Sequence, residues 1–200
     1  MTFTRGKARS AVMLAGVIAL TGCATPANRE SMMPATVKTV HRHPQSVLVE
    51  VTGGRDTEPK GKPQISSSSF RQALADSISD SKTFARVVQV AGGDYVLTVK
   101  LSAPEQPSFA LNTTVKLEAL WTLRRPKRAA PVWQATIRSE HTTAASEAFG
   151  AVTRIKLATE GAARENIAAG LAQVSQLDLQ RAGASAPRRA RRLSSSSARE

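Results

Sequence analysis

The sequence predicts an α+β fold, a two-layer sandwich in which a mostly antiparallel sheet carries two helices on one face. Apolar and polar residues alternate along residues 95–101 and 114–124, which is the pattern of half-buried strands. Residues 68–81 and 145–177 show the spacing of helices instead. The resulting order, β-α-β-β-β-β-α, contains one helical crossover between strands, so a single sheet with both helices on one face is the economical packing.

A strand and a helix open the domain. Residues 47–52 are rich in Val and alternate, which predicts the first strand. The Gly, Pro and charged residues at 53–63 predict an exposed loop. The hydroxyls of residues 66–69 are suited to cap a helix, and apolar residues recur every four positions from Phe70, so we expect a helix over residues 68–81.

Four strands follow the first helix. We expect them at residues 84–90, 95–101, 114–124 and 132–139, with a tight turn at residues 92–94 between the first two. The last two strands are separated by a short basic turn with two prolines, which favours a hairpin.

A second helix closes the domain. From about residue 145 the apolar period becomes helical, with a stripe through Ile167, and the pattern ends near residue 177. Gly161 and Gly170 each weaken a helix by roughly 1 kcal/mol relative to Ala. They are also suited to close packing of the helix against the sheet.

The charge and the cysteine content exclude some classes of protein. The formal net charge is +13, but three cations precede residue 23 and residues 181–200 carry a net charge of +5, so subtracting both leaves +5 for residues 23–180. The domain is therefore only mildly basic. The single cysteine excludes an intramolecular disulfide and a cysteine-based zinc site.

Residues 1–22 predict an export signal. A positively charged start is followed by a short apolar run, residues 10–20, and by small residues before Cys23. This is the layout of a secretory signal peptide, and the apolar run is shorter than the roughly 20 residues of a spanning helix. A secretory signal in which Cys23 is incidental is the alternative.

The tetrapeptide Leu20-Thr21-Gly22-Cys23 resembles the lipobox of bacterial lipoproteins. The resemblance implies cleavage between Gly22 and Cys23 and a lipid on the Cys23 sulfur. The residue directly after the cysteine is Ala24 and not an Asp. This resembles the pattern of lipoproteins that are sorted to the outer membrane and face the periplasm. We therefore expect a signal peptide at 1–22, a flexible tether at 23–44, a domain at 45–180 and a disordered basic tail at 181–200.

Several blocks resemble a family of small, largely uncharacterised lipoproteins of Gram-negative bacteria. These blocks are HPQSVLVEVTGGRDT, FRQALADSISDSKTFARVV, GGDYVLTV, LEALWTL, VWQATI and EAFGAVTRIKLATEGAARENI. More distantly, the F-x-x-V and D-Y-x-L layout resembles the auxiliary lipoproteins of ABC-type lipid transport systems. Neither resemblance implies a catalytic residue, and the second implies an accessory role beside a transport complex.

Three motifs are candidates for functional sites. His41 and His43, with the remote His141, could bind a metal, but solvated linker histidines are the favoured interpretation. The loop from Gly54 to Lys62 lacks the spacing and the hydroxyl residue of a phosphate loop. No serine lies in a G-x-S-x-G motif.

Aromatic and charged residues have structural interpretations. We expect the aromatic residues to lie in the core and Glu160 to form a surface ion pair with Arg164, four positions later. A partner-binding face over residues 153–164 is the alternative to that ion pair. The aromatic residues concerned are Phe70, Phe84, Phe109, Trp121, Trp133 and Phe149.

The sequence thus favours a non-enzymatic binding or accessory module of the cell envelope, with no cofactor, no metal and no catalytic residue. The expected partners are the membrane through the lipid anchor and an envelope protein, with no nucleic acid. The basic tail is either an arm for anionic lipid or lipopolysaccharide or an unselected extension. A periplasmic hydrolase with an unrecognised site is the alternative function.

Overall fold

The computed structural model describes residues 24–107, 111–128 and 130–180. Its elements are a 3₁₀ helix Glu30–Met32, β1 His43–Thr52, α1 Ser67–Ser81, β2 Phe84–Val88, β3 Tyr95–Leu101, β4 Thr113–Arg124, β5 Pro131–Thr143 and α2 Ala151–Ser175. The α+β class and the predicted order of strands and helices are confirmed. The signal peptide, Cys23, Phe109 and the basic tail at 181–200 lie outside the described residues.

The five strands form one open mixed sheet in the order β2-β1-β3-β4-β5. β1 is parallel to both β2 and β3, whereas the pairs β3–β4 and β4–β5 are antiparallel, the latter as the predicted hairpin. Parallel pairing is thus more extensive than the sequence predicts. Residues 89–94 are not a hairpin turn, because they carry the chain from one side of β1 to the other. Asp94 fixes this crossing by accepting hydrogen bonds from the Ser46 backbone N–H (2.8 Å) and hydroxyl (2.7 Å).

The core lies between one face of the sheet and the helices. Helix α2 approaches the strands closely, because a side chain at Gly161 would overlap the ring of His141 and one at Gly170 would overlap the ring of Trp121. The suggestion that these glycines mark close packing is therefore confirmed. The buried Trp121 indole N–H donates to the Asn166 side-chain oxygen at 3.0 Å, so its polar group is satisfied.

The other aromatic residues divide into core and surface. Phe70 and Phe84 are buried, and Trp133 packs partly buried at the edge of the core. Phe149 is fully exposed, so the prediction that it belongs to the core is wrong. It lies directly before Gly150, the N-cap of α2, where no strand or helix covers it.

Residues 24–42 pack against the domain, although their composition predicts a flexible tether. Ala27 and Met32 are buried in the core, and the backbone N–H of Asn28 donates to the Glu160 carboxylate at 2.7 Å. Farther on, the backbone N–H of His41 donates to the Ser175 carbonyl at 2.9 Å. The segment therefore runs along α2 from its first half to its last residue.

The domain has two distinct ends. The loop end comprises the described residues 53–66, 102–107, 111–112 and 144–150, which follow the strands beyond Thr52, Leu101 and Thr143. The opposite end, where β1 and β2 begin and both helices finish, is the groove end. Ten residues of β1 separate them, which is about 30 Å at ~3.3 Å per residue. In the parts of the chain that the structure describes, no helix combines the length and apolarity needed to cross a bilayer.

Candidate functional site

A basic groove lies at the groove end, beside the edge strand β2. It is an open hollow of about 470 Å³. Arg42, Lys82 and Arg86 supply its charges, and Pro44 and Phe84 lie among its apolar lining residues. Of the described residues that line it, none is a carboxylate.

Three elements bring these cations together. Lys82 ends α1 in the left-handed conformation, with φ of 54°, and thereby turns the chain from the helix into β2. Arg86 lies on β2 itself, and Arg42 directly precedes β1. The backbone N–H of His43 donates to the Thr83 carbonyl at 2.9 Å, which ties the start of β1 to the turn after Lys82.

His43 forms the wall between the groove and the core. It is only 4% exposed, its Nε2 lies 3.0 Å from the Val174 carbonyl oxygen, and its ring centroid lies 5.1 Å from that of Phe84. Nε2 therefore carries a proton and donates to that carbonyl. Burial lowers the pKa of His43, although the hydrogen bond to Val174 opposes this effect. The interpretation of His43 as a solvated linker residue is wrong.

The three histidines do not converge on a metal site. His41 lies beside His43 at the groove end, whereas His141 packs on Gly161 and its Nδ1 lies 2.8 Å from a Glu165 carboxylate oxygen. Within residues 24–107, 111–128 and 130–180, no group of three potential ligands is close enough to hold a metal ion.

A second hollow, of about 350 Å³, adjoins the basic groove and shares Arg42 and His43 with it. Its remaining lining includes the exposed Val40 and the residues that follow α2, among them Asp178. The two hollows together give the groove end a recessed surface on both sides of Arg42. This surface combines the positive charges of the basic groove with the Asp178 carboxylate and with apolar area.

A shallower hollow of about 500 Å³ lies on β4 and β5. Its lining carries four carboxylates and two cations, and the charges of Glu118 and Arg138 are already paired at 2.7 Å. Its net charge is therefore negative, which makes it a weaker candidate than the basic groove for binding an anion.

The serine and lysine motifs have structural roles at the loop end. The Ser66 hydroxyl caps α1 by accepting from the Ser69 backbone N–H at 3.1 Å, as predicted for this stretch. Lys62 donates to the backbone carbonyls of Gln106 and Pro107, both at 3.1 Å, and so joins two loops. Both motifs are therefore engaged in holding the loops and the helix.

The predicted ion pair between Glu160 and Arg164 is wrong. Glu160 is buried, its carboxylate lies 2.6 Å from the Lys156 Nζ, and it also accepts from the backbone of Asn28. Arg164 instead donates to the Ser31 carbonyl at 3.0 Å. Both residues hold the segment 24–42 against α2, which the helical spacing alone does not indicate.

The sequence also did not predict the basic groove. Arg42 is separated from Lys82 and Arg86 by the whole of β1 and α1, and no spacing rule connects such positions. Arg42 in His41-Arg42-His43 is a local positive charge, but the polar, proline-containing sequence around it predicts a linker.

Comparisons with known proteins show the fold and no more. No family model matches the chain, and no curated protein matches it. The domain is similar to protein XCC0632 of Xanthomonas campestris, of the family DUF330, with a TM-score of 0.54 over 78% of this chain and 97% of that chain. The domain is also similar to protein CT253 of Chlamydia trachomatis, with 10% identity and a TM-score of 0.48 over 67% of this chain and 99% of that chain. A minor lipoprotein of Acinetobacter baumannii is similar as well, with 10% identity and a TM-score of 0.47 over 69% of this chain and 93% of that chain. At 14% identity, the similarity to the Xanthomonas protein shows a shared fold alone.

Proposed function

We propose that the protein is a lipoprotein of the Gram-negative envelope, anchored through Cys23 in the outer membrane and facing the periplasm. Its domain is a non-enzymatic binding module that takes an amphiphilic anion in the basic groove. The lipobox at residues 20–23 and Ala24 support the anchor and its location. The more distant likeness of the F-x-x-V and D-Y-x-L layout to auxiliary lipoproteins of lipid transport supports an accessory role beside a transport complex.

The observation that carries the binding function is the composition of the basic groove. Three cations surround an apolar floor and no carboxylate is among the described residues that line it, although Arg86 also attracts the Asp94 carboxylate beside the groove. A phosphate or carboxylate head would accept hydrogen bonds from the guanidinium and ammonium groups, while an alkyl chain would cover the exposed Pro44 and Ala85. Ligands of this class are anionic lipids and detergent-like phosphates.

A titration with octyl phosphate below its micelle concentration tests the groove. We expect the triple variant Arg42→Gln, Lys82→Gln and Arg86→Gln to bind at least tenfold more weakly than the wild type by isothermal calorimetry. The matched control replaces three cations outside the groove with glutamine. These control residues are Lys60, Lys100 and Lys127.

The control has the same change in net charge, so it separates groove binding from general attraction. If both triple variants lose the same affinity, the groove is not the site. Octyl trimethylammonium has the same chain with the opposite charge and should bind neither variant nor the wild type.

Replacement of Cys23 tests the anchor. We expect Cys23→Ser to leave an unprocessed or soluble product, because the lipidated sulfur supplies most of the membrane affinity. Membrane fractionation and intact-mass measurement check this. Equal membrane partitioning of Cys23→Ser and wild type, or a wild-type mass with intact Met1 and an unmodified thiol, would contradict the lipid anchor.

A further inference from the structure

The described chain begins at the loop end, where its backbone is fixed. The Ala24 N–H donates to the Pro59 carbonyl and the Ala27 N–H donates to the Gln64 carbonyl, both at 3.1 Å. The next residue, Asn28, donates to the buried Glu160 carboxylate. The first residues after Cys23 therefore run against the loop 53–66 and do not form a spacer.

This attachment limits the distance between the proposed anchor and the domain. Consecutive Cα atoms are about 3.8 Å apart, so the Cα of Cys23 lies one such step from that of Ala24. A lipid on the Cys23 sulfur would therefore be attached one residue from the Ala24–Pro59 contact. A bilayer that holds this lipid must lie beside the loop end.

The loop end and the first turn of α2 expose apolar side chains. Phe149 is fully exposed, Leu111 is 81% exposed and Val152 is 40% exposed. The Arg154 guanidinium donates to the carbonyls of Ala148 (2.7 Å) and Phe149 (3.0 Å), which holds the backbone at Phe149 in place. Exposed apolar side chains beside a lipid anchor are suited to the boundary between headgroups and acyl chains.

Charge does not explain a membrane contact at this end. The three loops carry three cations and four carboxylates. They are Arg55, Lys60, Lys62, Asp56, Glu58, Glu105 and Glu147. Such a surface has no net attraction for anionic headgroups, so a contact here would depend on apolar burial and would be insensitive to salt.

We infer that the loop end lies on the lipid bilayer, with Phe149, Leu111 and Val152 inserted at its surface. The inference rests on the proposed lipid anchor at Cys23. In this orientation β1 extends away from the bilayer surface. The basic groove lies at the opposite end of β1 from the loop end, about 30 Å away at ~3.3 Å per residue. The groove then opens toward the periplasm and not toward the membrane that holds the protein.

Site-specific fluorescence tests this orientation on the lipidated, full-length protein. The variants Phe149→Cys and Val90→Cys are each labelled with a thiol-reactive NBD dye and reconstituted in vesicles of phosphatidylethanolamine and phosphatidylglycerol. Val90 is the control, because it is 74% exposed and lies in the connection between β2 and β3, outside the three loops of the loop end. Both positions are exposed, so neither substitution disturbs the core.

Quenching by doxyl-labelled lipids is the measurement. We expect at least threefold stronger quenching at position 149 than at position 90, unchanged at high salt. Equal quenching at the two positions, or none at either while the protein stays on the vesicles, would overturn the inference and leave the lipid anchor intact. Protein that does not bind vesicles and carries an unmodified Cys23 by mass would overturn the proposed anchor, and the orientation would fall with it.

Discussion

The two ends of the segment 24–42 are held to the domain by different interactions. Near the loop end, Met32 is fully buried and the Glu160 carboxylate, itself buried, accepts from the Asn28 backbone and contacts Lys156. Near the groove end, the contacts are neutral hydrogen bonds from Val40 to the Ser175 hydroxyl (3.1 Å) and from His41 to the Ser175 carbonyl (2.9 Å). The loop end of the segment thus depends on burial and charge, which cost more to disrupt than neutral, partly buried hydrogen bonds.

This difference shows why a polar, proline-containing segment can belong to a core. Only a few of its side chains are buried, but each one fills a place between the segment and the helices. The remainder of the segment stays polar because it faces water. The attachment near the loop end also determines how close the domain lies to its proposed anchor.

The largest expected effect comes from the apolar contact. Met32→Ala should lower the free energy of unfolding by about 3 kcal/mol, because truncation of a buried methionine leaves a cavity. It should also expose the bond after Arg29 to trypsin. Urea denaturation and limited proteolysis check this, with the partly buried Met33→Ala as the control that changes less. An unchanged midpoint would show that the segment is not part of the folded unit.

Removal of the buried charge should have the next largest effect. Glu160→Gln keeps the shape but leaves Lys156 without its charged partner, so we expect a loss of about 2 kcal/mol. The control is Glu165→Gln, whose partner is His141 and whose side chain is 48% exposed. That change should cost less than about 1 kcal/mol. Equal losses in thermal denaturation would contradict the contrast between buried and exposed carboxylates.

Replacement of Ser175 tests the weaker attachment of the segment 24–42, which lies at the groove end. Ser175→Ala removes the acceptor of the Val40 N–H and should cost about 1 kcal/mol. Hydrogen exchange should become faster at Val40 and stay unchanged at Asn28. The exposed Ser79, which donates to its own helix, is the control for loss of a hydroxyl. Faster exchange at Asn28 would show that the two ends do not open separately.

The smallest expected effect is a pH dependence at the groove end. The pKa of His43 is lowered below the ordinary value of 6.5 by burial, so the unfolded chain binds a proton there at a higher pH than the folded protein does. The contribution of His43 to stability is therefore complete above about pH 6.5 and falls as the pH drops below that value. His43→Gln should flatten the pH dependence of the unfolding free energy between pH 7 and about pH 5. His41→Gln should not, and equal slopes in His43→Gln and wild type would contradict the assignment.

The sequence predicted the layers because periodicity is a local property. The alternation in β3 and β4 follows from one buried and one exposed face, and the spacing in α1 follows from one buried stripe. The long exposed loop and the serine cap of α1 are likewise predicted by short stretches of sequence. The lipobox is a local motif as well, which is why the proposed anchor rests on sequence.

The tertiary structure decided which distant residues meet. Arg42, Lys82 and Arg86 form one groove only because β2 lies parallel beside β1, and the sequence does not encode that neighbour relation in any local pattern. The parallel pairing of β3 with β1 was not evident for the same reason. The sequence also did not determine the burial of two residues. Glu160, a carboxylate expected at the surface, is buried, and Phe149, an aromatic residue expected in the core, is exposed. Burial depends on what packs over a residue, and in both cases that was set by the path of the chain through the fold.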